Sequence, residues 1–156
     1  ADILLDSFNK VREFYPDACL LLSGKIENGI DIRQKNIIFR EFPEREDVVL
    51  AINSADAAVI PNRENEFSKY CFPYKLAEYM SCKVPIVATD VGDVSLMLKR
   101  YPGSLCRPDA YDMATKLIGK LKGYKRVDYA KELKGLDWEV LSKKLDKIIK
   151  TSIKPK

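Results

Sequence analysis

Apolar positions along this chain alternate between the three-to-four spacing of a helix face and short continuous runs of strand character. Ile3, Leu4, Ser7, Phe8, Val11 and Phe14 lie close to one helical stripe, which predicts a helix over Asp2–Tyr15 that Pro16 stops. Ala18–Ser23, ending in Gly24, reads as a strand, and so does the β-branched run Ile37–Phe39. Pro43–Ala55 reads as a helix with Val48, Leu50, Ala51 and Ile52 near its buried side, and Ala57–Ile60 as the third strand. Pro73–Cys82 is helical by propensity, and Pro85–Ala88 is a continuous apolar run of the kind buried on both faces of a parallel sheet. Beyond Gly92 the pattern gives a short helix at Val94–Arg100, the Pro102-Gly103 turn and a last strand at Ser104–Cys106. Helices at Tyr111–Leu121, Val127–Leu133 and Trp138–Ile149 finish the chain. In the final one, Trp138, Leu141, Leu145 and Ile148 form a stripe expected to lie on a body of protein, leaving Lys143, Lys144, Lys147 and Lys150 as its wet face.

Strands separated by helices predict an α/β fold, a Rossmann-like and mainly parallel sheet with helices on both faces. One irregularity follows from the order. The pattern opens on a helix rather than a strand, as though a first strand had been cut away, and the Rossmann order places that strand in the middle. A sheet wound that way is expected to be broken near its centre. There is no internal repeat, low-complexity tract or linker, so residues 1–156 read as one domain.

Composition narrows the chemistry. The 156 residues contain no histidine, which removes Ser-His-Asp and Cys-His catalysis and every histidine-bearing metal site from this chain. Cys19, Cys71, Cys82 and Cys106 are widely separated with no C-x-x-C pair, and three of them sit in apolar runs, so buried thiols are expected rather than disulfides. No stretch approaches the roughly 20 apolar residues of a membrane span, and the first ten residues lack the features of a secretory signal, so the expected location is cytoplasmic. A net charge of +4, without a basic arm carrying interleaved aromatics, gives no support to nucleic acid as a partner.

Ligands of open parallel sheets bind beyond the carboxyl ends of the strands, where loops enter helix N-termini. The longest and most polar of these loops, Pro61–Phe72, delivers the chain to Pro73, a residue suited to the first position of a helix. The free N–H groups of Tyr74 and Lys75 would then face outward as an anion site for a phosphate or diphosphate. Lys75 adds a movable positive charge, and Glu78, one turn on, can accept hydrogen bonds from a sugar diol. Taken singly, each of these residues also has an ordinary reading as a helix start, a solvated lysine or an exposed acid.

The run Phe72-Pro73-Tyr74-Lys75-Leu76-Ala77-Glu78-Tyr79-Met80, continuing through Ser81-Cys82-Lys83-Val84-Pro85-Ile86-Val87-Ala88-Thr89-Asp90-Val91-Gly92, resembles the donor-site signature of retaining glycosyltransferases of family 4. Ile3–Gly24, Asn36–Asp47, Ala55–Pro61, Gly103–Leu117 and Asp137-Trp138 resemble other parts of that family's C-terminal domain in order and spacing. The resemblance implies one half of a two-domain enzyme: this domain holds a nucleotide-sugar, and a separate N-terminal domain holds most of a carbohydrate or lipid acceptor. It implies no metal and no resident cofactor. It places Glu78 on the ribose hydroxyls and Phe42 where the backbone meets the base. Eight residues before Glu78, where the family carries a glutamate that contacts the transferred sugar, this chain has Tyr70, with Glu64 and Glu66 out of register. Gly92 and Asp93 correspond to the loop after the fifth strand. The family's basic pair for the diphosphate lies before the segment in hand, so the chain alone is expected to bind donor weakly and catalyse little. The donor-binding residues expected are therefore Glu78, Lys75, Tyr74, Pro73, Tyr70 and Phe42. Peripheral membrane contact through the lysine-rich last helix is a further expectation. A non-catalytic nucleotide or phosphosugar module of the same fold, and a nucleotide-sugar epimerase domain, are the alternatives.

Overall fold

The computed structural model describes residues 2–24 and 32–152, and every strand in it is short and parallel to its neighbour. β1 (Leu20–Leu22) pairs with β2 (Ile37–Phe39). β3 (Ala58–Ile60) pairs with β4 (Ile86–Thr89), and β4 with β5 (Leu105–Cys106). Between and around them run α1 (Asp2–Phe14), α2 (Arg45–Ser54), α3 (Glu66–Tyr70), α4 (Tyr74–Ser81), α5 (Asp93–Leu98), α6 (Ala110–Lys122), α7 (Ala130–Leu133) and α8 (Trp138–Ser152). Among the described residues no ladder joins β1–β2 to β3–β4–β5. Written in the Rossmann order, the strands run β2-β1 and then β3-β4-β5, and the break falls at the place of that order's first strand.

β4 organises the core because strand side chains alternate between faces. Ile86 and Ala88 join Leu76, Met80, Val94, Leu98 and Tyr129, which brings α4, α5 and α7 onto one side. Val87 joins Val11, Cys106, Met113 and Leu117, which brings α1 and α6 onto the other. All four β4 residues are buried, as a strand covered on both faces must be. Each fully buried Ile or Val there contributes roughly 1.5–3 kcal/mol over its exposed state.

The helix ends have local causes. Asp109 caps α6 by accepting from the Asp112 N–H at 2.9 Å, and Lys120 and Lys122 complement the dipole at its far end. Arg126 fastens two helix C-termini at once, donating to the Cys82 carbonyl beyond α4 at 3.1 Å and to the Asn53 carbonyl at the end of α2 at 2.6 Å. Asn36, at positive φ, donates to the Pro16 and Ala18 carbonyls and so holds the start of β2 against the start of β1.

Four expectations fail against this packing. On α1 the inward stripe is Leu5, Ser7, Phe8 and Val11, while Phe14, past the edge of α6, is exposed. On α2 nothing is buried and Leu50 points to solvent, because only Val48, Ala51 and Ile52 turn inward. The thiols are all free, but only Cys106 is buried; Cys19 and Cys71 are exposed and Cys82 is half-buried, since the runs that carry them end at the surface. The largest departure is α8, which buries no residue at all: Trp138 is 82% exposed, and Leu141, Leu145 and Ile148 are exposed with it. Only Val140 of that helix is half-buried, beside Ala130 and Leu133 of α7.

α7 is locked in place by two tyrosines. Tyr129 is fully buried with its hydroxyl on the Val84 carbonyl at 3.3 Å, its ring packs 4.6 Å from that of Tyr101, and Tyr101 donates its own hydroxyl to the Glu132 carboxylate. Burial raises the pKa of Tyr129 to about 12; burial and then the Glu132 carboxylate do the same for Tyr101, and burial raises the Cys106 thiol to about 12. A folded-state pKa above the unfolded value means stability that is complete below the unfolded pKa and is lost as pH climbs through the folded one. Denaturant titrations should therefore give a constant midpoint up to about pH 9 and a falling one from there to about pH 12. Tyr101→Phe should flatten that fall, and a midpoint indifferent to alkali would contradict the assignment.

Candidate functional site

The loops that leave β3 and β4 build one surface at the carboxyl edge of the sheet. Thr89, at the end of β4, is fully buried, and its hydroxyl donates to the Asn62 carbonyl at 2.8 Å and to the Ile60 carbonyl at 3.4 Å. This pins the first residues after β3. The loop then forms a short helix where the pattern of the sequence suggested only loop. Asn65 starts α3 by accepting from the Ser68 N–H at 2.8 Å, and the Cys71 N–H closes it on the Phe67 carbonyl at 2.9 Å. An asparagine before a single turn of residues is the signal that could have marked it.

α3 is seated on Gly92. That residue has φ +60° and ψ −141°, a region open in practice only to glycine, and it begins the turn into α5. A Cβ on Gly92 would stand 2.6 Å from the Ser68 carbonyl oxygen and 3.0 Å from that of Lys69. The glycine is therefore needed twice, for its backbone angle and for the close approach of α3. The two loops are thus fixed to each other by Thr89 at one end and Gly92 at the other.

Pro73 is the N-cap of α4 rather than its first turn, with φ −81° and ψ 95°, and its carbonyl accepts the Leu76 N–H at 2.9 Å. The N–H groups of Tyr74 and Lys75 have no backbone acceptor among the described residues, as expected for the first positions of a helix. Leu76 and Met80, four apart, are fully buried and anchor the inner face. Tyr74, Lys75 and Glu78, related by spacings of three and four, share the outer face and are all exposed. Neither Lys75 nor Glu78 has a hydrogen-bonding or ion-pairing side-chain partner among the described residues. The Glu78 carboxylate still makes itself felt: after burial it is the next cause raising the Tyr79 hydroxyl, and it adds to the burial that raises the Cys82 thiol.

The remaining expected residues stand apart. Phe72 is half-buried with its ring edge-on to Tyr74 at 5.7 Å. Tyr70 closes α3 with its ring in solvent. Phe42 is half-buried beyond β2, in the other sheet, and no hydrogen bond or ring contact joins it to α4. The structure therefore brings together Pro73, Tyr74, Lys75 and Glu78 on one helix and sets Tyr70 just before it. Gly92 was legible as part of the loop that follows β4, but neither its contact with α3 nor the role of Thr89 was; both depend on which loops meet in space. Among the described residues no group of three or more His, Cys, Asp or Glu could hold a metal ion, and no helix is long and apolar enough to cross a membrane.

Compared with known families, residues 1–122 match the model described as "Glycosyl transferases group 1". The matched segment holds all five strands and every site loop, and it ends at the last residue of α6; α7 and α8 lie beyond it. No curated protein matches the chain.

Proposed function

Because this chain belongs to the family of glycosyl transferases, group 1, we propose that it is the donor-binding half of a retaining glycosyltransferase that moves a sugar from a nucleoside diphosphate to a carbohydrate or lipid acceptor. The observation that carries this reading is the outer face of α4. Two N–H groups at Tyr74 and Lys75, without an acceptor among the described residues, stand at the positive end of the helix dipole, and the exposed Lys75 side chain leaves the same turn. A diphosphate there would gain charge as the glycosidic bond breaks, and fixed N–H dipoles with a nearby cation stabilise that charge without reorganising. One helical turn along, about 5.4 Å, the Glu78 carboxylate, which has no side-chain partner among the described residues, would take both hydroxyls of a ribose. Phe42, across the sheet break, is the residue of the set best suited to the base.

The reading is tested by saturation-transfer NMR on the full chain with uridine, guanosine and adenosine diphosphates in the millimolar range. Transfer to the ribose protons of at least one is expected, weakened by Lys75→Ala. Equal, negligible transfer for all three would remove the donor site. Turnover by this chain alone is expected to be slight, the acceptor being held mostly by another domain.

We further propose a cytoplasmic enzyme that touches anionic lipid through α8. The bare stripe of that helix supports this, as do Lys144 and Lys147, which have no acidic partner among the described residues, whereas Lys143 and Lys150 pair with Glu139 and Asp146. Vesicles containing phosphatidylglycerol should sediment more of the chain than phosphatidylcholine vesicles, and Lys144→Ala should cost about 1 kcal/mol of that binding. Absence of any preference for anionic lipid removes the contact.

A further inference from the structure

The loop between β3 and α4 has no core of its own. None of residues 61–72 is buried, and α3, at five residues, is too short to keep its shape as an isolated helix. Polar contacts have to place it. Asn62 makes no backbone-to-backbone hydrogen bond among the described residues; its carbonyl is held instead by the Thr89 hydroxyl, which donates to it at 2.8 Å from a fully buried position. The Ile60 carbonyl lies 3.4 Å from the same oxygen, but a hydroxyl has one proton to give and the shorter bond holds it. The backbone register of β3 on β4 ends at Ile60 and Ala88, so the Thr89 side chain carries the hold of β4 past the end of that ladder and into the loop. Thr89 is itself fixed, being in register with Cys106 of β5 on the other side.

We infer that Thr89 is a positioning residue for nucleotide binding: its buried hydroxyl, which touches no ligand itself, keeps the β3 loop in place beside the N-terminus of α4 before anything binds. This rests on the donor-site reading of α4. The loop runs through α3 and Phe72 straight into Pro73, so freedom in the loop is freedom in the chain next to the Tyr74 and Lys75 N–H groups. A loop ordered beforehand leaves a ligand little to order. A loop in place for only part of the time cuts the apparent affinity by that fraction. The seat of Ser68 and Lys69 on Gly92 is the second anchor, and a single turn held at two points opens more readily when one is removed. Threonine joins two separable functions at this position, a buried methyl that fills space in the core and a hydroxyl that reaches the loop.

Two variants of the full chain separate these functions. Thr89→Val keeps the volume and removes the proton donor; Thr89→Ser keeps the donor and removes the methyl. Amide exchange is read by NMR at Ser68, Lys69 and Cys71, whose N–H groups are bonded within α3. Uridine, guanosine and adenosine diphosphates are titrated against each protein, and thermal midpoints are recorded. In Thr89→Val the three amides should exchange about three- to tenfold faster, the effect of one lost hydrogen bond. Affinity for the diphosphate that binds should fall about two- to fivefold, less than the exchange changes because an open loop subtracts only the fraction of time it is out of place. Saturating nucleotide should bring the exchange in Thr89→Val back to the wild-type rate. Thr89→Ser should keep wild-type exchange and affinity even as the lost methyl lowers its thermal midpoint. Unchanged exchange in Thr89→Val overturns the hold on the loop. Faster exchange with unchanged affinity overturns the positioning role and leaves an anchor alone. Losses in both variants that follow their thermal midpoints overturn it as well, making Thr89 an ordinary core residue. If the wild type binds none of the three nucleotides, the donor-site reading fails and the positioning role fails with it, while the exchange rates still report on the anchor.

Discussion

Glu78→Gln is expected to weaken binding of a nucleoside diphosphate by about 1.5 to 3 kcal/mol, the loss typical of hydrogen bonds to a charged group. The substitution keeps the shape of the side chain and converts one acceptor oxygen into a donor. A vicinal diol that gave both hydroxyl protons to the carboxylate then meets one correct and one opposed group. Folding stability should hardly change, because Glu78 is exposed and bonds to no other side chain among the described residues. Titration calorimetry and scanning calorimetry of wild type and variant measure the two effects: a shift in affinity with an unchanged thermal midpoint. The contrast with the 2′-deoxynucleotide sharpens it, since a ligand with one hydroxyl should lose less. Equal affinities in both proteins for every nucleotide would leave Glu78 as a surface acid on an ordinary helix.

Gly92→Ala should be the most damaging small substitution at the site. The alanine must adopt a positive φ with ψ near the extended edge, and its methyl must displace a backbone carbonyl of α3 rather than a flexible side-chain tip. Strain and overpacking together set the cost at about 2 to 4 kcal/mol. The chain can reduce that cost by letting α3 move, which would carry Phe67 and Tyr70 away from α4. Two readouts therefore have to be taken together, the denaturation midpoint and sugar-nucleotide affinity. Either stability falls by this amount, or stability is partly kept and the loop before α4 is displaced, with donor affinity reduced. A variant normal in both would mean that α3 is not seated on the glycine.

The α/β fold, its parallel strands and the start of α4 were readable because they depend on local pattern. Ile37–Phe39 matches its strand end to end, and β4 reads correctly because four consecutive apolar residues need cover on both sides. What failed depended on partners that a pattern does not name. The stripe on α8 is a sound helical stripe, but periodicity says only that a face is apolar, not that anything in the described residues lies against it. Leu50 and Phe14 satisfy the spacing of their helices and stand just beyond the reach of the neighbours that bury the rest. α3 was missed since five residues are too few to express a period. At the site, Pro73, Tyr74, Lys75 and Glu78 are adjacent in sequence and so were legible as a set, whereas Thr89 and Gly92 act on residues more than twenty positions away.

The division of the sheet has a consequence for how firmly its parts are held. β4 lies between two hydrogen-bonded neighbours and two layers of helix, so its amides can be freed only by opening most of the domain. Among the described residues β1 and β2 are bonded only to each other and the turns at their ends, none of their side chains is fully buried, and Leu21 and Ile38, directly opposite in register, both face water. In this chain the amides of β1 and β2 are therefore expected to exchange with solvent sooner than those of β4.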